Sequence, residues 1–192
     1  MDSSETFRSR LAQGLAVLTA LVAVAALVAF VGEEGPTALL STLAPVALVV
    51  AAGWALLWNP RVELTAEGIT IVNVWRTVRV PWRRFRHADT RWALSVTTDQ
   101  DVTYTSWAVP AGSGFGARLV PQRQQHGEWA PAQRKLGSSG TAEAAAMAIA
   151  DRVPRRPGAD ERSAEVTVTP NTRVLAVLGG LAVLAALSVT LG

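Results

Sequence analysis

The chain holds no cysteine, so neither a disulfide framework nor a thiolate metal site is open to it. Only one of its 18 basic residues is a lysine, Lys135, which leaves almost every positive role to arginine. The two histidines, His87 and His126, stand far apart, which argues against imidazole-based metal binding. Charge is scarce as well: 17% of residues are charged, against about 25% in an average soluble domain. The net charge of +3 is small, and many of the arginines flank apolar runs, whereas a nucleic-acid face needs them clustered in a soluble domain. His87 beside Asp89 could be imagined as a base and its orienting partner, but no serine or cysteine arrangement completes a site. Gly112 to Gly116 is glycine-rich like a phosphate loop, yet it lacks the following Lys-Ser/Thr pair and reads as a hinge. The expectation is no enzyme, no catalytic or metal-binding residue, no cofactor and no nucleic-acid partner.

What the chain does have is apolar length. Leu11 to Val31 carries no charge over 21 residues, which at about 1.5 Å per residue reaches roughly 31 Å, the thickness of a bilayer's hydrocarbon core. Thr37 to Trp58 is a second run, with Pro45 as a tolerated kink, and residues 173–192 hold a third. Arg8 and Arg10 precede the first run and Glu33 and Glu34 follow it, so the positive-inside rule puts the N-terminus in the cytoplasm. A cleaved secretory signal shares the basic start and the alanines, but this run exceeds the usual 7–15 residue apolar core of such signals by a wide margin. The arginines at 152, 155, 156, 162 and 173 precede the third run, which sends the C-terminus outside. Trp54 and Trp58, one helical turn apart at the inner end of the second run, are expected interfacial anchors.

Between the second and third runs the periodicity changes from helical to alternating. Arg61 to Thr65 and Ile69 to Ile71 read as a hairpin around Ala66-Glu67-Gly68, with glycine where a positive φ is expected. Val78, Val80 and Trp82 share one parity against Thr77 and Arg79, while Trp92, Leu94 and Val96 oppose Arg91, Ala93 and Ser95. Five or six short antiparallel strands in series follow from this pattern. Trp75, Trp82, Trp92 and Trp107 are expected in the core, the alternative being an aromatic pocket. Residues 111–138 read as a long loop, residues 141–153 as a helix capped by Ser139 or Thr141, and residues 154–172 as a linker with a short strand at Val166 to Thr169. The domain layout is thus 1–58 for the tail and transmembrane hairpin, 59–153 for the central domain, 154–172 for the linker and 173–192 for the last span.

The strings N-P-R-V-x-L-T-x-x-G-I-x-I-x-N-x-W-R-T-V-R-V-P-W, R-W-A-L-x-V-x-T and Y-x-S-W-A-V-P after two spans resemble the bacterial PH-like domain family of low molecular weight protein antigen 6. The resemblance covers Asn59 to about Pro110. It implies an α+β membrane protein: two N-terminal spans, a bent antiparallel sheet with a C-terminal helix, and a C-terminal span. It implies no established enzymatic activity and names no ligand. Phosphoinositide-binding PH domains carry lysines and arginines around the first hairpin loop, whereas here that loop is Thr65-Ala66-Glu67-Gly68, which speaks against phosphoinositide capture there.

The candidate contacts are instead Arg76, Arg79, Arg83, Arg84 and Arg86, available for anionic lipid headgroups or an acidic protein segment. The plainer reading is a solvated strand face that also satisfies the positive-inside rule. Two function classes follow: a non-enzymatic adaptor at the inner face of a bacterial plasma membrane, recruiting or sensing a protein or anionic lipid, or a structural subunit of a larger membrane complex acting through its spans.

Overall fold

A computed structural model of the chain describes residues 4–35, 38–110, 118–119, 142–153 and 165–191. The chain divides into two compact units: Met1–Ser9, Arg61–Asn73 and Val78–Val168 form the first, and Arg10–Pro60, Val74–Thr77 and Thr169–Gly192 the second. Most of the expected loop 111–138, the 154–164 part of the expected linker and the expected caps Ser139 and Thr141 lie outside the described residues.

The first unit is built on antiparallel sheet. Its strands are β1 (Glu5–Phe7), β2 (Arg61–Leu64), β3 (Gly68–Val72), β4 (Arg76–Pro81), β5 (Phe85–Asp89), β6 (Ala93–Thr98), β7 (Thr103–Pro110) and the two-residue β8 (Arg118–Leu119). With β9 (Thr167–Pro170) they make a five-stranded sheet, ordered β1-β2-β3-β4-β9, and a four-stranded one, ordered β7-β6-β5-β8. The unit boundary runs through β4 and β9. The short strand expected at Val166 to Thr169 is β9, one residue later.

Alternation along these strands decides what is buried, because successive side chains leave opposite faces. On β2, Val62 and Leu64 point into the core while Arg61 and Glu63 stay outside and pair, Nε to Oε1, at 2.6 Å. Val78 and Val80 on β4, and Leu94 and Val96 on β6, fill the same core with Ile69, Ile71, Trp82 and Phe85. The α3 helix (Ala142–Arg152) closes it through Ala142, Ala145, Ala146 and Ile149, spaced at the i, i+3, i+4, i+7 interval of one helical face. Alanines on that face let the helix lie close to the sheet.

Three features of this unit depart from the sequence reading. The N-terminal tail is part of the fold: Glu5, Thr6 and Phe7 pair with Leu64, Glu63 and Val62, and Phe7 joins the core. Arg152 at the end of α3 donates to Glu5 at 3.1 Å, holding β1 from a second side. A three-residue strand ahead of an apolar run has too little alternation to be seen in sequence. Secondly, a single 3-10 turn, Trp82–Arg84, runs directly into β5, a strand the alternation described above does not include. Thirdly, Gly68 does not have a positive φ, a property confined to Gly35 among the described glycines. A Cβ at position 68 would lie 2.8 Å from Pro81 Cα and closer still to the Val80 carbonyl oxygen. Glycine is needed because two backbones touch, not because the turn is left-handed.

The second unit is helical. Its α1 (Arg10–Glu34), α2 (Ala38–Gly53, continuing as one π-helical turn over Trp54–Trp58) and α4 (Thr172–Leu191) provide three helices long and apolar enough to cross a membrane, two N-terminal and one C-terminal. α2 packs against both α1 and α4. Gly53 faces Thr19 of α1, where a Cβ would meet the threonine methyl at 3.3 Å, so a small residue sets that spacing. Gly35 ends α1 in the left-handed conformation at φ +86°, its N–H bonded to the Val31 carbonyl at 2.9 Å.

Two stability predictions follow from these contacts. Gly68→Ala destabilises the detergent-solubilised chain by more than about 2 kcal/mol, whereas Gly179→Ala, at a helical glycine facing open space, leaves it unchanged or slightly more stable. Thermal unfolding followed by circular dichroism checks both. Phe7→Ala costs about 3 kcal/mol in the same assay, although position 7 lies outside the expected 59–153 domain.

Candidate binding surface

The tryptophans sort themselves by what their indole nitrogen can reach. Trp82 is the buried one of the four in the middle region, at 5% exposure. Its Nε1–H donates to the Thr65 carbonyl at 3.0 Å, its backbone N–H to Glu67 at 3.2 Å, and its ring meets Phe85 edge-on with centroids 6.1 Å apart. The first hairpin loop is therefore braced from inside by an aromatic ring. The hairpin closes on itself through Thr65, whose N–H donates to Gly68 O at 3.0 Å.

Trp75, Trp92 and Trp107 overturn the expectation of a tryptophan core: they are 57%, 82% and 63% exposed. Trp92 misleads because it sits in the bend before β6, where alternation does not yet apply. On β7 the buried parity is Ser106 and Ala108, which sets Trp107 on the outside with Thr103 and Thr105. The pairing of β6 with β7 is irregular between Ser95↔Thr105 and Ala93↔Pro110; Trp107 lies within that stretch and Trp92 immediately before it.

Beside it the outer face is a hydroxyl ladder. Ser95 and Thr105 share a hydrogen bond of 2.9 Å, as do Thr97 and Thr103. Asn73 fixes the β7 backbone here, its Nδ2 donating to Thr105 O and its Oδ1 accepting the Trp107 N–H, both at 2.9 Å. Trp107 is thus held outward by a strand that cannot slip. The signal for this was present in sequence as threonine at every second position of Thr103-Tyr104-Thr105, a solvent-face pattern.

The five candidate arginines do not act alike. Arg76, Arg79, Arg83 and Arg86 are exposed and Arg84 is half-buried. Arg84 pairs with Asp99 at 2.9 Å and Arg86 with Asp101, so two of the five are partnered by the acidic β6–β7 turn. That turn holds Asp101 at φ +60°, a conformation that aspartate tolerates better than most residues. Arg76 belongs to the helical unit and the other four to the sheet unit. Asp89, imagined above beside His87, accepts the Arg91 N–H at 2.8 Å and so shapes the turn into β6. Among the described residues no three His, Asp or Glu side chains group as metal ligands. Trp54 and Trp58 are both exposed, in the π-helical turn that ends α2.

Residues 59–126 match the family model described as a bacterial PH domain. The chain carries a bacterial PH-like domain. No curated protein and no solved structure matches the chain. The match starts at Asn59, after the helices, and takes in β2 to β8 of the PH-like domain, while β1, α3 and β9 lie outside it.

Because both Arg84 and Asp99 remain partly exposed, Asp99→Ala should change unfolding stability by less than about 1 kcal/mol. A double-mutant cycle with Arg84→Ala measures the pair; a coupling well above that figure would mean that the pair is shielded from solvent.

Proposed function

We propose that the chain is a non-enzymatic, membrane-anchored binding module whose PH-like domain recruits or senses a protein partner at the inner face of a bacterial plasma membrane. The observation that carries this reading is the exposure of Trp92 and Trp107 on the PH-like domain, the latter on backbone that Asn73 holds in place. Exposed tryptophan is costly in water and is enriched at the centre of binding interfaces, where its large surface is buried on contact. The hydroxyls beside Trp107 on β6 and β7 hold each other, and at the far end of the same strands Asp99 and Asp101 hold arginines. The attachment of such a domain to spans fixes its local concentration at the membrane, so modest contacts suffice for occupancy.

The cytoplasmic orientation rests on Arg8 and Arg10 before α1 and Glu33 and Glu34 at its end. The absence of native cysteine makes it directly testable. A single cysteine at Glu34→Cys is expected to react with an impermeant maleimide on intact cells, and one at Gln100→Cys only after lysis; the reverse pattern would invert the topology.

For the partner, proximity crosslinking in native membranes is expected to capture a protein that Trp92→Ala/Trp107→Ala loses by tenfold or more, about the cost of removing one hot-spot side chain. Capture that survives this change and is lost on mutating the α4 face would favour the structural-subunit reading.

A further inference from the structure

Trp75 is explained neither by the core nor by the face that carries Trp92 and Trp107. It sits in the Val74–Thr77 segment of the helical unit. That segment is tied to the head of α4 chiefly by Asn171, which precedes the first helical residue, Thr172. The Asn171 N–H donates to Trp75 O at 3.0 Å, its Nδ2 to Val74 O at 3.4 Å, and its Oδ1 accepts the Thr77 hydroxyl at 2.9 Å. Thr169 adds a bond from its hydroxyl to Thr77 O at 3.4 Å. Meanwhile the Asn171 carbonyl accepts the Leu175 N–H at 3.1 Å and so opens the helix.

One asparagine thus fixes the Trp75 backbone at the level where a membrane-spanning helix begins. Arg173 and Arg76 are exposed next to the two ends of this connection, and the uncharged part of α4 starts at Val174. An indole at that level has an apolar ring for the acyl boundary and an N–H for the headgroups, which is why tryptophan collects at membrane–water interfaces. The two guanidinium groups suit a surface of anionic phosphates.

We propose that Val74–Thr77 is a bilayer-contact site, with the Trp75 indole seated in the headgroup layer of an anionic leaflet. It adds a third interfacial tryptophan to Trp54 and Trp58, contributed by a strand-to-strand turn and not by a span. The inference rests on the reading of α1, α2 and α4 as membrane-spanning.

The test uses the full chain, which has no cysteine to remove, in vesicles of phosphatidylglycerol and phosphatidylethanolamine. Trp75→Cys carries an environment-sensitive fluorophore, and lipids bearing a nitroxide at the headgroup or deep in the acyl chain quench it. Headgroup nitroxide is expected to quench position 75 about twofold more than the acyl-chain nitroxide, as interfacial placement requires. Full quenching by aqueous iodide with none by either nitroxide overturns the inference, and so does a stronger effect from the deep nitroxide. Arg76→Cys, which keeps the tryptophan, gives the same reading should Trp75→Cys fail to assemble. Val22→Cys, near the middle of α1, separates the two levels of claim. If the deep nitroxide fails to quench position 22, the spanning reading itself falls; if it quenches 22 and neither nitroxide reaches 75, only the contact site falls.

Discussion

The pairing of β1 with β2 is the constraint on which the arrangement of this chain depends. It joins Glu5–Phe7 to Val62–Leu64 although two long apolar helices, α1 and α2, lie between them in sequence. If those helices cross a bilayer, β1 and β2 can meet only when the N-terminal tail and the PH-like domain are on the same side. The pairing would then demand an even number of crossings between them, and two helices long and apolar enough to cross lie there. Phe7 reinforces the demand, since its burial depends on the strand that carries it.

Several elements were legible because their causes are local. A bilayer sets the length of a span, so three uncharged runs are enough to find α1, α2 and α4. Alternation revealed β2, β3, β4 and the inner part of β6, where Val62, Leu64, Val78, Val80, Leu94 and Val96 occupy the expected face. Helix α3 carried its own cue in alanines and Ile149 at helical spacing. The specific strings around Trp75 to Trp82 and Ser106 to Pro110 pointed to a bacterial PH-like domain, which the match over residues 59–126 bears out.

What was not legible depends on partners distant in sequence. Strand β1 is three residues long and acquires its identity from β2. Gly68 signals a turn to any sequence reader, yet its reason is the backbone of Val80 and Pro81, which no local rule can foresee. Tryptophan was the main source of error. Its size argues for the core, but the same ring suits a binding face or a membrane boundary, and composition alone cannot separate these. The pairing of Arg84 and Arg86 was hidden for a related reason, because the aspartates that hold them lie across a turn.

Two asparagines show how a small polar side chain can decide where a large apolar one points. Asn73 uses both ends of its amide on the β7 backbone, around Trp107. Asn171 uses both ends of its amide on the Val74–Thr77 segment, around Trp75. Asn73 satisfies two backbone groups, and Asn171 one backbone carbonyl and the Thr77 hydroxyl, which is a local benefit independent of function. The consequence for function is geometric. A backbone pinned beside a tryptophan resists the rotation that would bury it, so the ring stays exposed. Replacement of either asparagine by leucine would preserve the volume and remove the bonds. The indole would then be free to fold inward, and the binding proposed for it would weaken while the indole itself was still present.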